Sequence, residues 1–167
     1  ALGAVTVKLE LPPWTVVLHL GTAMLLLAAL LLAARRPPIA PGRRPGSVAW
    51  GALVLAFVTV LMGALTANLG AASACLGFPL CNGQWLPVGN YLQHVQWTHR
   101  LLAYGFALYA AVWAWRVPRR GTRVVLGLVL LQVGVAAAMV LLRLPPPLQA
   151  LHVAVGAAVW AAVVLAA

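Results

Sequence analysis

The segment Trp14–Ala34, WTVVLHLGTAMLLLAALLLAA, decides the class of this protein, because its only ionisable side chain is that of His19. A membrane-spanning helix needs about 20 predominantly apolar residues, and this segment has that length. Four further segments have the same character, and Pro and Gly residues mark the connections between them. They are Val48–Ala71, Leu92–Trp115, Thr122–Leu142 and Leu148–Ala167. We therefore predict an all-α integral membrane protein with five transmembrane helices.

The composition supports a membrane protein and excludes a nucleic-acid-binding protein. Of the 167 residues, 64% are hydrophobic and only 7% are charged, whereas soluble domains have about 25% charged residues. The formal net charge is +10, but the basic residues lie in short loops and form no basic face or arm. We interpret the positive charge as a signal of membrane topology and predict no nucleic-acid partner.

Basic residues occupy alternate loops. The loop after the first segment and the loop after the third contain most of them: Arg35, Arg36, Arg43, Arg44, Arg116, Arg119, Arg120 and Arg123. The positive-inside rule places these two loops in the cytoplasm. The loop with Cys75 and Cys81 then faces outward, and we predict a multi-pass protein of the cell membrane.

Three histidines lie within apolar segments, at a similar depth on the outward side. His19, His99 and His152 each follow the outer start of a segment by five to seven residues, or roughly 7–11 Å along a helix. A titratable side chain inside a bilayer is costly and indicates a functional site. Two imidazoles on facing helices can ligate a haem iron in a six-coordinate, low-spin centre. The alternative is that each imidazole only forms a hydrogen bond to a neighbouring helix.

Other polar residues of these segments allow simpler interpretations. Arg100 either pairs with a carboxylate such as a haem propionate or extends to the outer headgroups. His94 is expected to be an exposed interfacial residue. We expect Thr66, Asn68 and Gln132 to form hydrogen bonds between helices.

The two cysteines, Cys75 and Cys81, are separated by five residues in the outward loop. Because extracytoplasmic compartments are oxidising, we predict a disulfide bond. The bond is either a structural link or a redox-active pair that exchanges electrons or thiols with a partner.

An internal repeat with an offset of 133 residues indicates two related halves. Leu11-Pro12-Pro13 and Leu18-His19 recur as Leu144-Pro145-Pro146 and Leu151-His152, although coincidence remains an alternative in so apolar a sequence. Such repeats are common in membrane proteins. Residues 1–36 would then be the end of a third helix and the whole fourth helix of a truncated N-terminal half. Residues 37–47 would be a basic cytoplasmic linker, and residues 48–167 a C-terminal four-helix half of an eight-helix, pseudo-twofold protein.

Three stretches resemble one known family. They are GALTANLGAASACLGFPLCNGQWLP at 63–87, QWTHRLLAY at 96–104 and ALHVAVGAA at 150–158. The cysteine loop, the His-Arg pair and the later Leu-His together resemble the haem A synthases, membrane enzymes of cytochrome oxidase assembly. Members of that family oxidise a methyl group of haem O to the formyl group of haem A.

The resemblance implies a role for each histidine. His99 and His152 would ligate the iron of a haem b cofactor in a haem-binding four-helix bundle, and His19 would belong to the half that receives the substrate, haem O. The family has a catalytic Glu three residues before a second His-Arg pair, but the matching residue here is Gln96. That Glu is expected upstream, so we predict no catalytic residue in this segment and no activity of the segment alone.

The expected partners are the lipid bilayer, haem O and haem A, a haem O synthase, a quinol or thiol electron donor, and a second copy in a homo-oligomer. Three alternatives remain open from the residues themselves. The chain is a b-type cytochrome electron carrier, a membrane thiol-redox protein that uses Cys75 and Cys81, or a non-catalytic assembly subunit.

Overall fold

The computed structural model describes Ala4, residues 12–35 and residues 46–167. Within the two continuous ranges lie five α-helices and a short 3₁₀ turn at Ala71–Ser73. The helices are α1 (Pro13–Ala34), α2 (Ser47–Asn68), α3 (Tyr91–Arg116), α4 (Arg120–Leu141) and α5 (Pro146–Ala166). The predicted all-α membrane fold is confirmed, since α1, α2, α4 and α5 are long and apolar enough to cross a membrane. Helix α3 is the longest, with 26 residues, but its N-terminal half, which contains His94, His99 and Arg100, is more polar than its C-terminal half.

Local sequence signals set the helix ends. The side chain of Asn90 accepts hydrogen bonds from the backbone N–H groups of Leu92 and Gln93, at 3.2 and 3.4 Å, and so caps the start of α3. Helix α5 begins at Pro146, where the missing N–H of proline costs no helical hydrogen bond. Helix α2 ends two residues before Gly70, whose φ of +70° suits glycine.

Helices α2 to α5 form a four-helix bundle in which successive helices run antiparallel. Contacts join α2 to α3, α3 to α4, α4 to α5, and α5 back to α2, so that α3 and α5 lie diagonally opposite each other. Helix α1 packs outside the bundle against α2 and α5. The indole N–H of Trp160 donates to the carbonyl oxygen of Met24 at 2.8 Å and links α5 to α1.

The interior of the bundle has an apolar half and a polar half. The buried apolar cluster lies toward the end with the α3–α4 turn, and it includes Ala52, Phe106, Val129 and Val159. A second, smaller cluster contains Cys75, Cys81 and Trp97 at the opposite end. The polar side chains of His99, Gln132 and His152 lie between these two ends.

Several sequence-based predictions fall wholly or mostly outside the described residues. They concern Arg36, Arg43 and Arg44 of the first basic loop, the Leu11 end of the first repeat copy, and most of the linker 37–47. The division into a truncated half, a linker and a complete half stays a prediction.

Candidate functional site

His99 and His152 both lie in the polar half of the bundle. They belong to the diagonally opposed helices α3 and α5. The Nδ1 atoms of both rings are buried and have no hydrogen-bond partner among the described residues. Buried polar atoms normally have a partner, so these two unpaired nitrogens indicate a site that the described residues alone do not complete.

His152 is held by a glutamine from the neighbouring helix α4. The Nε2 atom of Gln132 lies 3.3 Å from the Nε2 atom of His152. The same amide nitrogen donates to the backbone carbonyl oxygen of His152 at 3.0 Å. Gln132 therefore contacts both the ring and the backbone of this histidine.

His99 lies against a glycine of α2. A Cβ atom placed on Gly63 would be 3.0 Å from Cε1 and 3.4 Å from Nε2 of His99. Such a contact is tighter than nine in ten real Cβ contacts, so a larger residue at position 63 would displace the imidazole or α2 by a few tenths of an ångström.

Arg100 is almost completely buried, at 6% exposure, and its guanidinium binds the loop that contains Cys75 and Cys81. Its Nη1 atom donates to the carbonyl oxygens of Gly77 and Leu80, at 2.6 and 2.8 Å, and Nη2 donates to that of Cys75 at 2.7 Å. The predicted alternative of extension to the headgroups is wrong, because carbonyl dipoles of the loop solvate the charge inside the protein. These bonds use three of the five guanidinium N–H groups.

The loop above the site contains the predicted disulfide bond, which is confirmed between Cys75 and Cys81. Both cysteines are fully buried, with 0% exposure. The side chain of Asn82 bridges the loop, accepting from Leu76 N at 2.9 Å and donating to the carbonyl oxygen of Ala74 at 3.0 Å. These bonds support the loop in addition to the disulfide.

One face of α3 holds this loop from below. Besides Arg100, Tyr104 donates to the carbonyl oxygen of Pro79 at 2.7 Å. The amide of Gln96 is buried and donates to the carbonyl oxygen of Ala72 at 3.4 Å. Positions 96, 100 and 104 recur every four residues, so they share a face of the helix. The residue after His99 thus connects the histidine pair to the disulfide loop.

The other predicted residues lie outside this arrangement. His19 is exposed on α1, outside the four-helix bundle, and His94 is exposed at the start of α3, as expected for an interfacial residue. The prediction for Thr66 and Asn68 is wrong. Both bond within α2, to the carbonyl oxygens of Met62 and Ala64, because a carbonyl four residues earlier is always within reach. Gln132 does bond between helices, as predicted.

Sequence reasoning missed two contributors to the site. Gly63 had only a weak signal, since a glycine in an apolar helix is common. The sequence signal for the role of Gln132 toward His152 was clearer, because an amide in a membrane segment needs a hydrogen-bond partner at similar depth.

Comparisons with known proteins identify one family. Residues 1–164 match the family COX15-CtaA, described as cytochrome oxidase assembly protein. A protein named Heme A synthase from Symbiobacterium thermophilum is 34% identical over 137 residues, which cover 72% of this chain and 44% of that protein. Another of the same name, from Maricaulis maris, is 31% identical over 186 residues, covering 96% of this chain and 54% of that protein.

A relative with a different name also matches. A protein named Protoheme IX farnesyltransferase from Halobacterium salinarum is 37% identical over 115 residues, which cover 64% of this chain but 26% of that protein. The chain spans about half the length of the two proteins named Heme A synthase.

Proposed function

Because this chain belongs to the COX15-CtaA family of cytochrome oxidase assembly proteins, we propose that its residues 48–167 are the C-terminal half of a haem A synthase. In the whole protein, the methyl group of haem O is oxidised to the formyl group of haem A. In this half, His99 and His152 ligate the iron of haem b. The observation that carries the proposal is that the two histidines lie on diagonally opposed helices, each with a buried Nδ1 atom that has no partner among the described residues.

The residues present fit a haem held by two imidazoles. Buried polar atoms normally have a partner, and the Nδ1 atoms of both histidines are buried without one among the described residues, which supports a bound group in addition to these residues. The diagonal placement supports a flat group in the bundle interior, and the apolar cluster below it limits access of water. When bound, such a haem relays single electrons, because both of its axial positions are filled.

Arg100 supports the same site through its charge. The chain has one acidic residue, Glu10, against 11 Lys and Arg, so a buried guanidinium next to His99 favours an anionic group from outside the chain. We assign its N–H groups that do not bind the loop to a carboxylate of the haem. This role is compatible with the three bonds to the loop, since the guanidinium has five donors.

The remaining steps belong to the rest of the protein. His19 lies outside the four-helix bundle, and we assign it to the half that binds haem O, together with a catalytic Glu upstream. On this basis the segment alone is inactive. The disulfide loop faces the outside of the cell membrane, because the arginines of the α3–α4 turn lie at the opposite end of the bundle.

The substrate is expected to come from a farnesyltransferase. The Halobacterium protein named Protoheme IX farnesyltransferase contains a region similar to this chain, and that region is 26% of its length. A prenylated haem is poorly soluble in water, so direct transfer between two membrane enzymes is the efficient route. We propose a haem O synthase as the partner that supplies it.

Thiol exchange is a weaker candidate for the chemistry. Thiol–disulfide exchange needs a thiolate to reach a sulfur atom of the disulfide, and Cys75 and Cys81 are fully buried. This burial favours a structural disulfide and an electron donor such as a quinol.

The test uses the full-length protein with His99→Ala and His152→Ala, each purified from membranes, and His94→Ala as the matched control. We expect each site variant to lose the low-spin spectrum of reduced haem b, and the control to keep it. Survival of that spectrum in either site variant contradicts the proposal. Measuring formyl haem in pigment extracts separates a synthase from a b-type electron carrier or an assembly subunit, neither of which makes haem A.

A further inference from the structure

The orientation of the Gln132 amide is fixed by the backbone carbonyl oxygen of His152, which can only accept a hydrogen bond. A backbone carbonyl oxygen has no hydrogen to donate, so the group 3.0 Å from the carbonyl of His152 is the NH₂ of Gln132 and not its oxygen. The same nitrogen lies 3.3 Å from Nε2 of His152. One amide hydrogen therefore faces the carbonyl, and the other faces the ring.

The proton position on the ring follows from this orientation. A neutral imidazole carries its proton on one nitrogen and a lone pair on the other. Because an amide N–H faces Nε2, that nitrogen is the acceptor, and the proton of His152 is on Nδ1. The tautomer with the proton on Nε2 would set two N–H groups against each other.

The geometry points to Gln132 as a positioning residue that holds His152 in the tautomer whose Nε2 lone pair is available to haem iron. This inference rests on the proposed function, in which His152 is an axial ligand. The amide N–H lies at the Nε2 lone pair of His152, so a haem held by that atom would take its place. The bond of the amide to the carbonyl oxygen of His152 would still hold Gln132 beside the ring.

Gly156 provides space for this amide. A Cβ atom on Gly156 would lie 3.3 Å from Nε2 of Gln132, closer than most real Cβ contacts. Gly156 is four residues after His152 and so lies on the same face of α5. Glycine at 156 thus lets the Gln132 amide lie against both the ring and the carbonyl of His152.

The primary test reads the tautomer directly and needs no haem. Full-length protein labelled with ¹⁵N-histidine would be produced in a haem-deficient host, placed in lipid bilayers and examined by solid-state NMR, with the His152 signals identified by their loss in His152→Asn. We expect Nδ1 to be protonated and Nε2 to be unprotonated in the parent protein. Gln132→Met keeps the shape but removes the donor, and we expect a mixture of tautomers. Gln149→Met is the matched control. Gln149 lies on the same helix as His152 but donates to the carbonyl oxygen of Leu144 and not to His152.

A second variant covers the case in which Gln132→Met does not fold. Gly156→Ala leaves the amide chemistry intact but displaces it, so we expect a shift toward the mixed state that is smaller than that of Gln132→Met. A proton on Nε2 in the parent protein overturns the inference. So does a tautomer that neither variant changes.

Haem binding is the second readout. We expect Gln132→Met to weaken haem affinity about 2-fold, because an even mixture of tautomers leaves about half of the rings competent to bind, and to keep a six-coordinate spectrum. Unchanged affinity together with an unchanged tautomer shows that Gln132 only packs. A low-spin haem that survives His152→Ala instead overturns the proposed function. The tautomer measured by NMR tests the role of Gln132 toward His152 in that case as well.

Discussion

The guanidinium of Arg100 donates a 2.7 Å hydrogen bond to the carbonyl oxygen of Cys75, one of the two disulfide cysteines. Arg100 directly follows His99, so one turn of α3 presents a histidine to the bundle interior and an arginine to the disulfide loop. The loop is consequently held in two ways, by a covalent bond between its cysteines and by a buried charge beneath it.

The first prediction concerns this charge. Arg100→Met removes three hydrogen bonds and leaves three loop carbonyls without that donor. Hydrogen bonds to charged groups contribute about 1.5–3 kcal/mol each and are not additive, so we expect the free energy of unfolding to fall by about 3 kcal/mol or more. Thermal unfolding in detergent measures this loss.

Arg123→Met is the matched control, because that exposed guanidinium makes one 3.2 Å bond to the carbonyl oxygen of Pro118. We expect a change of less than about 1 kcal/mol there, as for exposed groups in general. Equal effects of the two substitutions would contradict a specific role of Arg100 in holding the loop.

The second prediction concerns the disulfide. Because both cysteines are fully buried and Arg100 and Asn82 support the loop independently, we expect Cys75→Ser/Cys81→Ser to retain bound haem and the formation of haem A in the full-length protein. Haem content and pigment extracts measure both. Loss of product with full haem content would instead favour a redox-active cysteine pair.

The helices could be predicted from the sequence, and every observed end lies within three residues of its predicted position. Apolar length determines a membrane span, and Pro146 and Gly70 mark ends by their backbone preferences. The largest difference is at the end of α2, predicted at Ala71 and observed at Asn68. The apolar run continues past this point, so hydropathy does not detect the left-handed Gly70.

The partners of polar residues were harder to predict than their locations. The sequence marks Arg100 as a costly buried charge, but its acceptors are backbone carbonyls of residues 75, 77 and 80, which carry no side-chain signal. Thr66 and Gln132 both lie in apolar segments. Thr66 bonds within its own helix because its side chain is short, whereas Gln132 reaches the next helix.

The third prediction concerns the space beside His99. Gly63→Ala places a methyl group 3.0 Å from Cε1 of His99, so the ring must turn or α2 must move. We expect haem affinity to fall about 10-fold, as for other changes that disturb the orientation of a ligand. Titration of haem into the haem-free full-length protein measures the affinity.

Gly127→Ala serves as the control for this substitution. A Cβ atom at Gly127 on α4 meets nothing within 4 Å, and alanine is the better helix former by about 1 kcal/mol. We expect unchanged haem binding and equal or higher stability. A loss of haem that is the same in both variants would mean that the glycines matter for the helices rather than for His99.

The fourth prediction tests the antiparallel packing of α2 and α3 on the apolar side of the site. Tyr109 donates to the carbonyl oxygen of Val48 at 2.9 Å, and a Cβ atom on Gly51 would collide with its hydroxyl group. Gly51→Ala should therefore lower the free energy of unfolding by about 1–3 kcal/mol, as overpacking does elsewhere.

In Gly51→Ala/Tyr109→Phe the obstructing hydroxyl is absent, so the second substitution should restore part of the loss although it costs stability by itself. Thermal unfolding of the two single variants and the double variant gives the coupling energy, which we expect to be at least about 0.5 kcal/mol because the residues are in contact. Additive effects would mean that the two helices do not meet at these residues.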